Sequence, residues 1–297
     1  MKHFKSLSDL CKANGFPLPD HPLIALHRCN GTSPLIEREF TGDFYVIAFK
    51  RKIKSGVILY GRTKYDHENG SMMFIKPRQV IEYKDLEFEE DGFLVYIHED
   101  FLNGSILHKE IQKYGFFDYE TNEALHLSPH EEEVMWDLYN KIESEYKNNP
   151  DEYSREIMLT HIDSILKYSQ RFYKRQFINR TELSGKIVSK FNGALSEYSG
   201  QGLLQTKGLP TVNAMAARLN LSPRYLSDLL KQETGKTAIE LIHIYLVNEA
   251  KNLLKGENQS VSGIAYMLGF DNLSYFSRLF KKETGLTPIQ FKKQSIN

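Results

Sequence analysis

The chain has 297 residues, 41% of them apolar, and 38 basic against 38 acidic side chains, enough apolar material for two domains of ordinary size. No apolar run approaches the roughly 18 residues of a membrane-spanning helix, which excludes membrane insertion. The opening MKHFKSLSDL has no apolar stretch followed by small residues, and Cys11 and Cys29 are too few for a disulfide scaffold, so no cleaved secretory signal, reduced thiols and a cytoplasmic location are expected.

The zero net charge is a cancellation. Residues 1–150 hold 18 basic and 25 acidic side chains, residues 151–200 hold 8 and 6, and residues 201–297 hold 12 and 7. A basic C-terminal half points to an acidic partner for that half, with ordinary fluctuation as the alternative.

From Phe40 to Ile97 short β-rich runs alternate with turn signals: FYVIAF, GVILYG, SMMFIKP, QVIEY and GFLVYIH. Closely spaced strands of this kind read as a sandwich or small barrel. Helical periodicity follows. Ser128, Pro129 and Glu131 form a capping box that opens a helix with Val134, Leu138 and Ile142 on one face, and a second helix from Ser154 carries Met158, Ile162, Ile165 and Leu166. Arg171 to Lys190 contains six cations and one acid, a solvated or phosphate-facing surface. A helix over Glu182 to Tyr198, with Leu183, Ile187, Phe191 and Leu195 on one face, is followed by an expected loop from Ser199 to Pro210.

The rest of the chain is a repeat. Tyr225 to Ile239, YLSDLLKQETGKTAI, and Tyr275 to Ile289, YFSRLFKKETGLTPI, match at 9 of 15 positions, and Val212, Ala216 and Leu219 face Val261, Ala265 and Leu268 at an offset of 49. Each unit is a short helix, a turn and a second helix. Ser222 with Pro223 is an N-cap with proline at the first helical position, and Gly235 and Gly285 stand where helices stop. The capping boxes Thr237 to Glu240 and Thr287 to Gln290 start the next helices. The helix from Thr237 runs to Gly256 and joins the two units.

A helix crossing another after a short turn is the helix-turn-helix plan, whose second helix enters the DNA major groove. In the first unit Leu226, Leu229 and Leu230 turn inward, leaving Arg224, Ser227, Asp228 and Lys231 outward. In the second Phe276, Leu279 and Phe280 turn inward, leaving Ser274, Ser277, Arg278 and Lys281 outward. Such a face suits base edges, with arginine donating two bonds to guanine and lysine neutralising phosphate. One such face alone is more often the solvated side of a bundle; two matched faces on a repeat weigh against that.

Leu209 to Lys293 resembles the double helix-turn-helix DNA-binding domain of the AraC/XylS transcription regulators, above all in SVSGIAYMLGFDNLSYFSRLFKKETGLTPIQF, Ser260 to Phe291. The resemblance implies two recognition helices in successive major grooves, about 34 Å apart per helical turn. It places base-reading residues at Arg224, Ser227 and Asp228, and at Leu273, Ser274, Ser277 and Arg278. Asp228 departs from the cationic or amide side chain expected there, since a carboxylate repels phosphate but accepts from cytosine. The resemblance further implies an α+β chain: a cupin-like β-barrel sensor over residues 1–125, a helical dimerisation segment and linker over 126–180, and the DNA-binding domain over 181–297. Its implied partners are double-stranded DNA, a second copy of the chain, a small-molecule effector and RNA polymerase, with an activator's role.

Within the barrel, Phe44, Phe49, Phe74 and Tyr96 are candidates for an effector pocket, or plain core. No cofactor, metal or catalytic residue is expected: His67 beside Glu68, His98 beside Glu99 and Asp100, and His126 with His130 do not make the His-x-His pattern of cupin metal sites. Gly235-Lys236-Thr237 looks like the end of a phosphate-binding loop, but the glycine that would begin it is replaced by Leu230. The alternatives are a metal-dependent cupin-type enzyme fused to a DNA-binding module, and a ligand-independent regulator whose barrel only dimerises.

Overall fold

Three strands at the centre of the N-terminal unit are apolar at nearly every position because both of their faces are covered. The structure, a computed structural model, describes residues 1–29, 39–50, 53–60, 63–64, 70–88, 92–119, 123–179, 181–255 and 260–295. His67, Glu68, Arg180 and Gly256 lie outside them. The elements in order are β1 (Lys2–Phe4), α1 (Leu7–Asn14), β2 (Ile24–Cys29), β3 (Glu39–Gly42), β4 (Phe44–Lys50), β5 (Ile53–Tyr60), β6 (Thr63–Lys64), β7 (Ser71–Ile75), β8 (Ile81–Phe88), β9 (Gly92–His98), α2 (Leu107–Glu110), β10 (Leu125–His126), α3 (Pro129–Lys147) and α4 (Ser154–Asn179). The chain divides into two units, Met1–Gln176 and Phe177–Asn297.

Among the described residues the strands form two five-stranded sheets, ordered β1-β3-β8-β5-β6 and β10-β7-β4-β9-β2. All pairs are antiparallel except β1 with β3. In the second sheet β4 is central, with Val46 opposite Tyr96 on β9 and Ile75 on β7. One face of this sheet, carrying Phe44, Val46, Ala48, Met73, Ile75, Leu94 and Tyr96, shares a core with Phe4, Phe40 and Ile81 of the first sheet and Leu7, Leu10 and Cys11 of α1. The opposite face meets the helices. Phe93 stacks on Tyr139 of α3 at 4.4 Å between ring centroids, and the Ser169 hydroxyl of α4 lies against Met72. A strand buried on both sides has no solvent face to alternate with, so FYVIAF, SMMFI and GFLVYI read as unbroken apolar runs.

The closed barrel expected for this unit is corrected here. Among the described strands neither sheet closes, and three of the four edge strands, β1, β6 and β10, are only two or three residues long. Very short edges offer little backbone for unwanted pairing, so closure is not needed to protect them.

The capping box of α3 forms as its residues dictate: the Ser128 hydroxyl accepts from the Glu131 amide and Glu131 accepts from the Ser128 amide. Arg28 on β2 binds α3 through Glu143 and, at 2.8 Å, Asn140, with its guanidinium over Trp136. Of the cations between Arg171 and Lys190, Arg175 is taken up inside this unit, donating to Glu131 at 2.7 Å and to the His126 carbonyl at 2.6 Å.

The second unit contains α5 (Thr181–Gly200), α6 (Leu203–Lys207), α7 (Val212–Leu219), α8 (Pro223–Thr234), α9 (Ala238–Leu254), α10 (Val261–Met267), α11 (Leu273–Thr284) and α12 (Pro288–Ser295). The stretch expected as a loop from Ser199 to Pro210 holds α6, a five-residue helix bounded by Gly202 and Gly208, both at positive φ. No helix among the described residues is long and apolar enough to cross a membrane.

His27 is the buried titratable group to test in the first unit. Its ring stacks on Phe16 at 4.4 Å, meets Tyr96 edge-on and lies 3.5 Å from the Cys11 sulfur. Burial pushes its pKa from the ordinary 6.5 down to about 4, and the Cys11 thiol up to about 11. The unfolded ring takes up a proton near 6.5 and the folded ring only near 4, so acidification through this window favours the unfolded state. Urea unfolding followed by the fluorescence of Trp136, the chain's single tryptophan, should show stability falling between these pH values, and His27→Gln should flatten that dependence. An unchanged slope in the variant would assign the pH effect to another group.

Candidate nucleic-acid interface

The repeat in the sequence is a repeat of hydrogen bonds. The Thr211 hydroxyl accepts from the Ala214 amide at 3.1 Å to start α7, and the Ser260 hydroxyl accepts from the Gly263 amide at 3.0 Å to start α10. At the ends of α8 and α11, Thr234 and Thr284 each donate a hydroxyl back one turn, to the Leu230 and Phe280 carbonyls, at 2.8 Å in both cases. The same hydroxyls accept from the Lys236 and Leu286 amides, both at 3.2 Å. Gly235 and Gly285 stop the helices in left-handed conformation. Thr237 with Glu240 and Thr287 with Gln290 then form reciprocal boxes. Gly235-Lys236-Thr237 is thus a helix stop and an N-cap.

Between the helices of each unit one residue must turn left-handed. It is Asn220 in the first, with φ 55°, and Gly269 in the second, with φ 82°. The turns then differ by one residue: Ser222 caps α8 by accepting from the Tyr225 amide at 3.1 Å, whereas Asp271 is inserted before Asn272, which caps α11 by accepting from the Ser274 and Tyr275 amides at 2.8 and 3.0 Å. A Cβ at position 269 would fall 2.6 Å from the Leu204 carbonyl oxygen of α6 and 2.9 Å from the Gly208 carbonyl carbon. Glycine is required there twice over, by conformation and by space.

Burial fixes which face each second helix shows. On α8, Tyr225, Leu226, Leu229 and Leu230 are buried; on α11, Phe276, Leu279 and Phe280 are. Each large apolar side chain contributes on the order of 1.5–3 kcal/mol, so no surface contact competes in setting the rotation of these helices. Outward, Arg224 and Lys231 are exposed and Ser227 and Asp228 half-buried on α8; Leu273, Ser274, Arg278 and Lys281 are exposed and Ser277 half-buried on α11. All nine residues proposed from the sequence therefore lie on the open sides of α8 and α11.

Two features were not read from the sequence. Arg224 Nε donates to Asp228 Oδ2 at 3.1 Å; a pair of this exposure contributes about 0.3–0.5 kcal/mol, so its consequence is the orientation of the guanidinium. The matched tyrosines also diverge. Tyr225 is buried against Phe177 at 5.2 Å, while Tyr275 is 38% exposed with its hydroxyl 3.3 Å from His243 Nε2 on α9. Burial lowers the pKa of His243 and favours the neutral ring.

The four candidate pocket residues in the first unit do not line one space. Phe44 and Tyr96 meet edge-on at 5.7 Å in the core between the sheets. Phe49 and Phe74 lie on the other face of the same sheet, Phe49 against Phe93 and Trp136, Phe74 against Phe116 and Tyr173. Among the described residues no group of three His, Cys, Asp or Glu side chains is placed to hold a metal ion. His98 is engaged with the Lys5 carbonyl and Asp100.

Two matched helix-turn-helix units joined by the capped helix α9 define a double helix-turn-helix domain. A family model described as a helix-turn-helix domain matches residues 215–294. This C-terminal segment is of the AraC/XylS type. The chain is 42% identical over 110 residues to the uncharacterized transcriptional regulatory protein YesN of Bacillus subtilis, a match that covers 36% of this chain and 28% of that protein. It is 33% identical over 81 residues to the arabinose operon regulatory protein of Salmonella typhimurium, covering 27% and 29% of the two chains. Among solved structures it is similar to the C-terminal domain of AraT, a response regulator from Geobacillus stearothermophilus, with 31% identity, 38% of this chain and 87% of that chain covered, and a TM-score of 0.32. The chain spans well under half the length of these curated relatives.

The turn can be tested directly. Gly269→Ala should destabilise the domain by roughly 1–2 kcal/mol from the left-handed backbone alone, with the Leu204 carbonyl adding to that. Asn220→Gly should stay within about 1 kcal/mol of the wild type. Thermal unfolding followed by far-ultraviolet circular dichroism compares them, and equal midpoints would remove the special role of position 269.

Proposed function

We propose that the chain is a sequence-specific, double-stranded-DNA-binding transcription regulator that reads two successive major grooves with α8 and α11. The observation that carries this is the pair of matched second helices. Both hold their apolar sides inward and expose arginine, lysine and serine side chains, a mixture suited to base edges and phosphates. The transcription-regulator names of the relatives support the same reading.

The N-terminal unit is then a sensor, cupin-like in having two sheets with a common core, and the chain acts in the cytoplasm as a homodimer. An effector that prefers one arrangement of that unit would bias whether two DNA domains meet paired half-sites. Activation would follow from contact with RNA polymerase. The chain is not an enzyme in this reading; no observation favours the alternative of a metal-dependent cupin-type enzyme carrying a DNA-binding module.

Arg278 and Lys281 separate the two kinds of contact. Arg278→Ala should sharply lower discrimination between specific and random duplexes. Lys281→Ala should weaken both alike and shallow the dependence of log affinity on log salt by about one unit. Fluorescence anisotropy over a salt series measures both, and equal loss on specific and random DNA for Arg278→Ala would overturn its role.

A further inference from the structure

The two second helices present different electrostatics at matched positions. Where α11 carries Arg278, α8 carries Asp228, and that carboxylate binds Nε of Arg224 one turn earlier at 3.1 Å. On α8 the charges of Arg224 and Asp228 offset one another, and Lys231 lies nearly one turn beyond Asp228. On α11, Arg278 and Lys281 carry no ion pair among the described residues.

The geometry of the pair is directional. With Nε engaged, the guanidinium is held by its inner edge, and among the described residues Nη1 and Nη2 have no hydrogen-bond partner. Those two nitrogens form the edge that donates in parallel to O6 and N7 of guanine. An arginine without such a brace samples many rotamers and reaches phosphates as easily as bases. A carboxylate beside it also repels phosphate, raising the free energy of any register in which α8 lies against the backbone.

We propose that Asp228 is a specificity-determining positioning residue: it holds Arg224 edge-on for a guanine and discourages phosphate contact, so that α8 adds a guanine preference of its own to the discrimination made by Arg278 on α11. This rests on the DNA-binding reading above and assigns α8 and α11 different parts in it.

The test uses the full chain. A duplex is selected from a random library by the wild-type protein, and affinities for it and for random DNA are measured by anisotropy for wild type, Arg224→Ala, Asp228→Ala, Asp228→Asn and the Arg224→Ala/Asp228→Ala double variant. Asp228→Ala should bind random DNA more tightly, steepen the salt slope by up to about one unit, and lower the ratio of specific to random affinity at least about two-fold. Selection with it should lose one guanine preference in the half-site. Asp228→Asn keeps an acceptor for Nε and should retain more of that preference than Asp228→Ala. The double variant should discriminate no worse than Arg224→Ala. An unchanged ratio in Asp228→Ala, or additive losses in the double variant, overturns the proposal while leaving DNA binding intact. If the wild-type chain enriches no sequence at all, the DNA-binding reading itself falls.

Discussion

The left-handed residue in the turn between the two helices of each unit governs the geometry of the C-terminal domain. Two helices can cross at close range only if the chain stops the first, reverses its hand for one residue and restarts within a few positions. Asn220 and Gly269 are that reversal. The Asn220 amide closes α7 by donating to the Ala217 carbonyl, and the Gly269 amide donates to the Tyr266 carbonyl at 3.0 Å. Everything beyond the turn inherits its direction from this point: the caps at Ser222 and Asn272, the buried rows of α8 and α11, and the side chains those helices show to solvent.

How much of this was legible depended on whether the signal was local. N-caps, helix stops and capping boxes are made by residues within four positions of each other, so Ser222, Thr237, Gly235 and Gly285 could be assigned from the chain alone. The inward and outward rows of α8 and α11 follow from helical periodicity, and burial agrees with them. What was not legible depended on partners elsewhere. The pairing of Arg224 with Asp228 is local in spacing, yet an acid and a base four positions apart on an exposed face need not meet, and only their placement shows that they do. Asn220 offered a signal, since asparagine tolerates the left-handed region, but only alignment with Gly269 marks it. Helix α6 is too short for periodicity to reveal.

The N-terminal unit shows the same limit from another side. Unbroken apolar strands identify themselves as strands but do not say what covers them. A closed barrel and a sheet lying between a second sheet and helices demand the same residue types in FYVIAF and GFLVYI. The decision lies with sheet order, which among the described strands leaves both sheets open, three of their four edge strands being only two or three residues long. The aromatic residues proposed for a pocket illustrate the consequence, because alternate positions along one strand face different neighbours: Phe44 looks into the core between sheets, and Phe49 five residues later looks toward α3.

The Cβ space at Gly269 makes the two units unequal. Two units that share their caps and their buried rows look like duplicates, but the second turn lies directly under α6, with the Leu204 carbonyl where any side chain would begin. Asn220 could not stand there. The second turn is closed over by a neighbouring element and has no space for a side chain, while the first turn is open, with Asn220 exposed. The halves are therefore no longer interchangeable parts: a chain built from the first unit repeated twice would have the right helices in the right order and no room to assemble them.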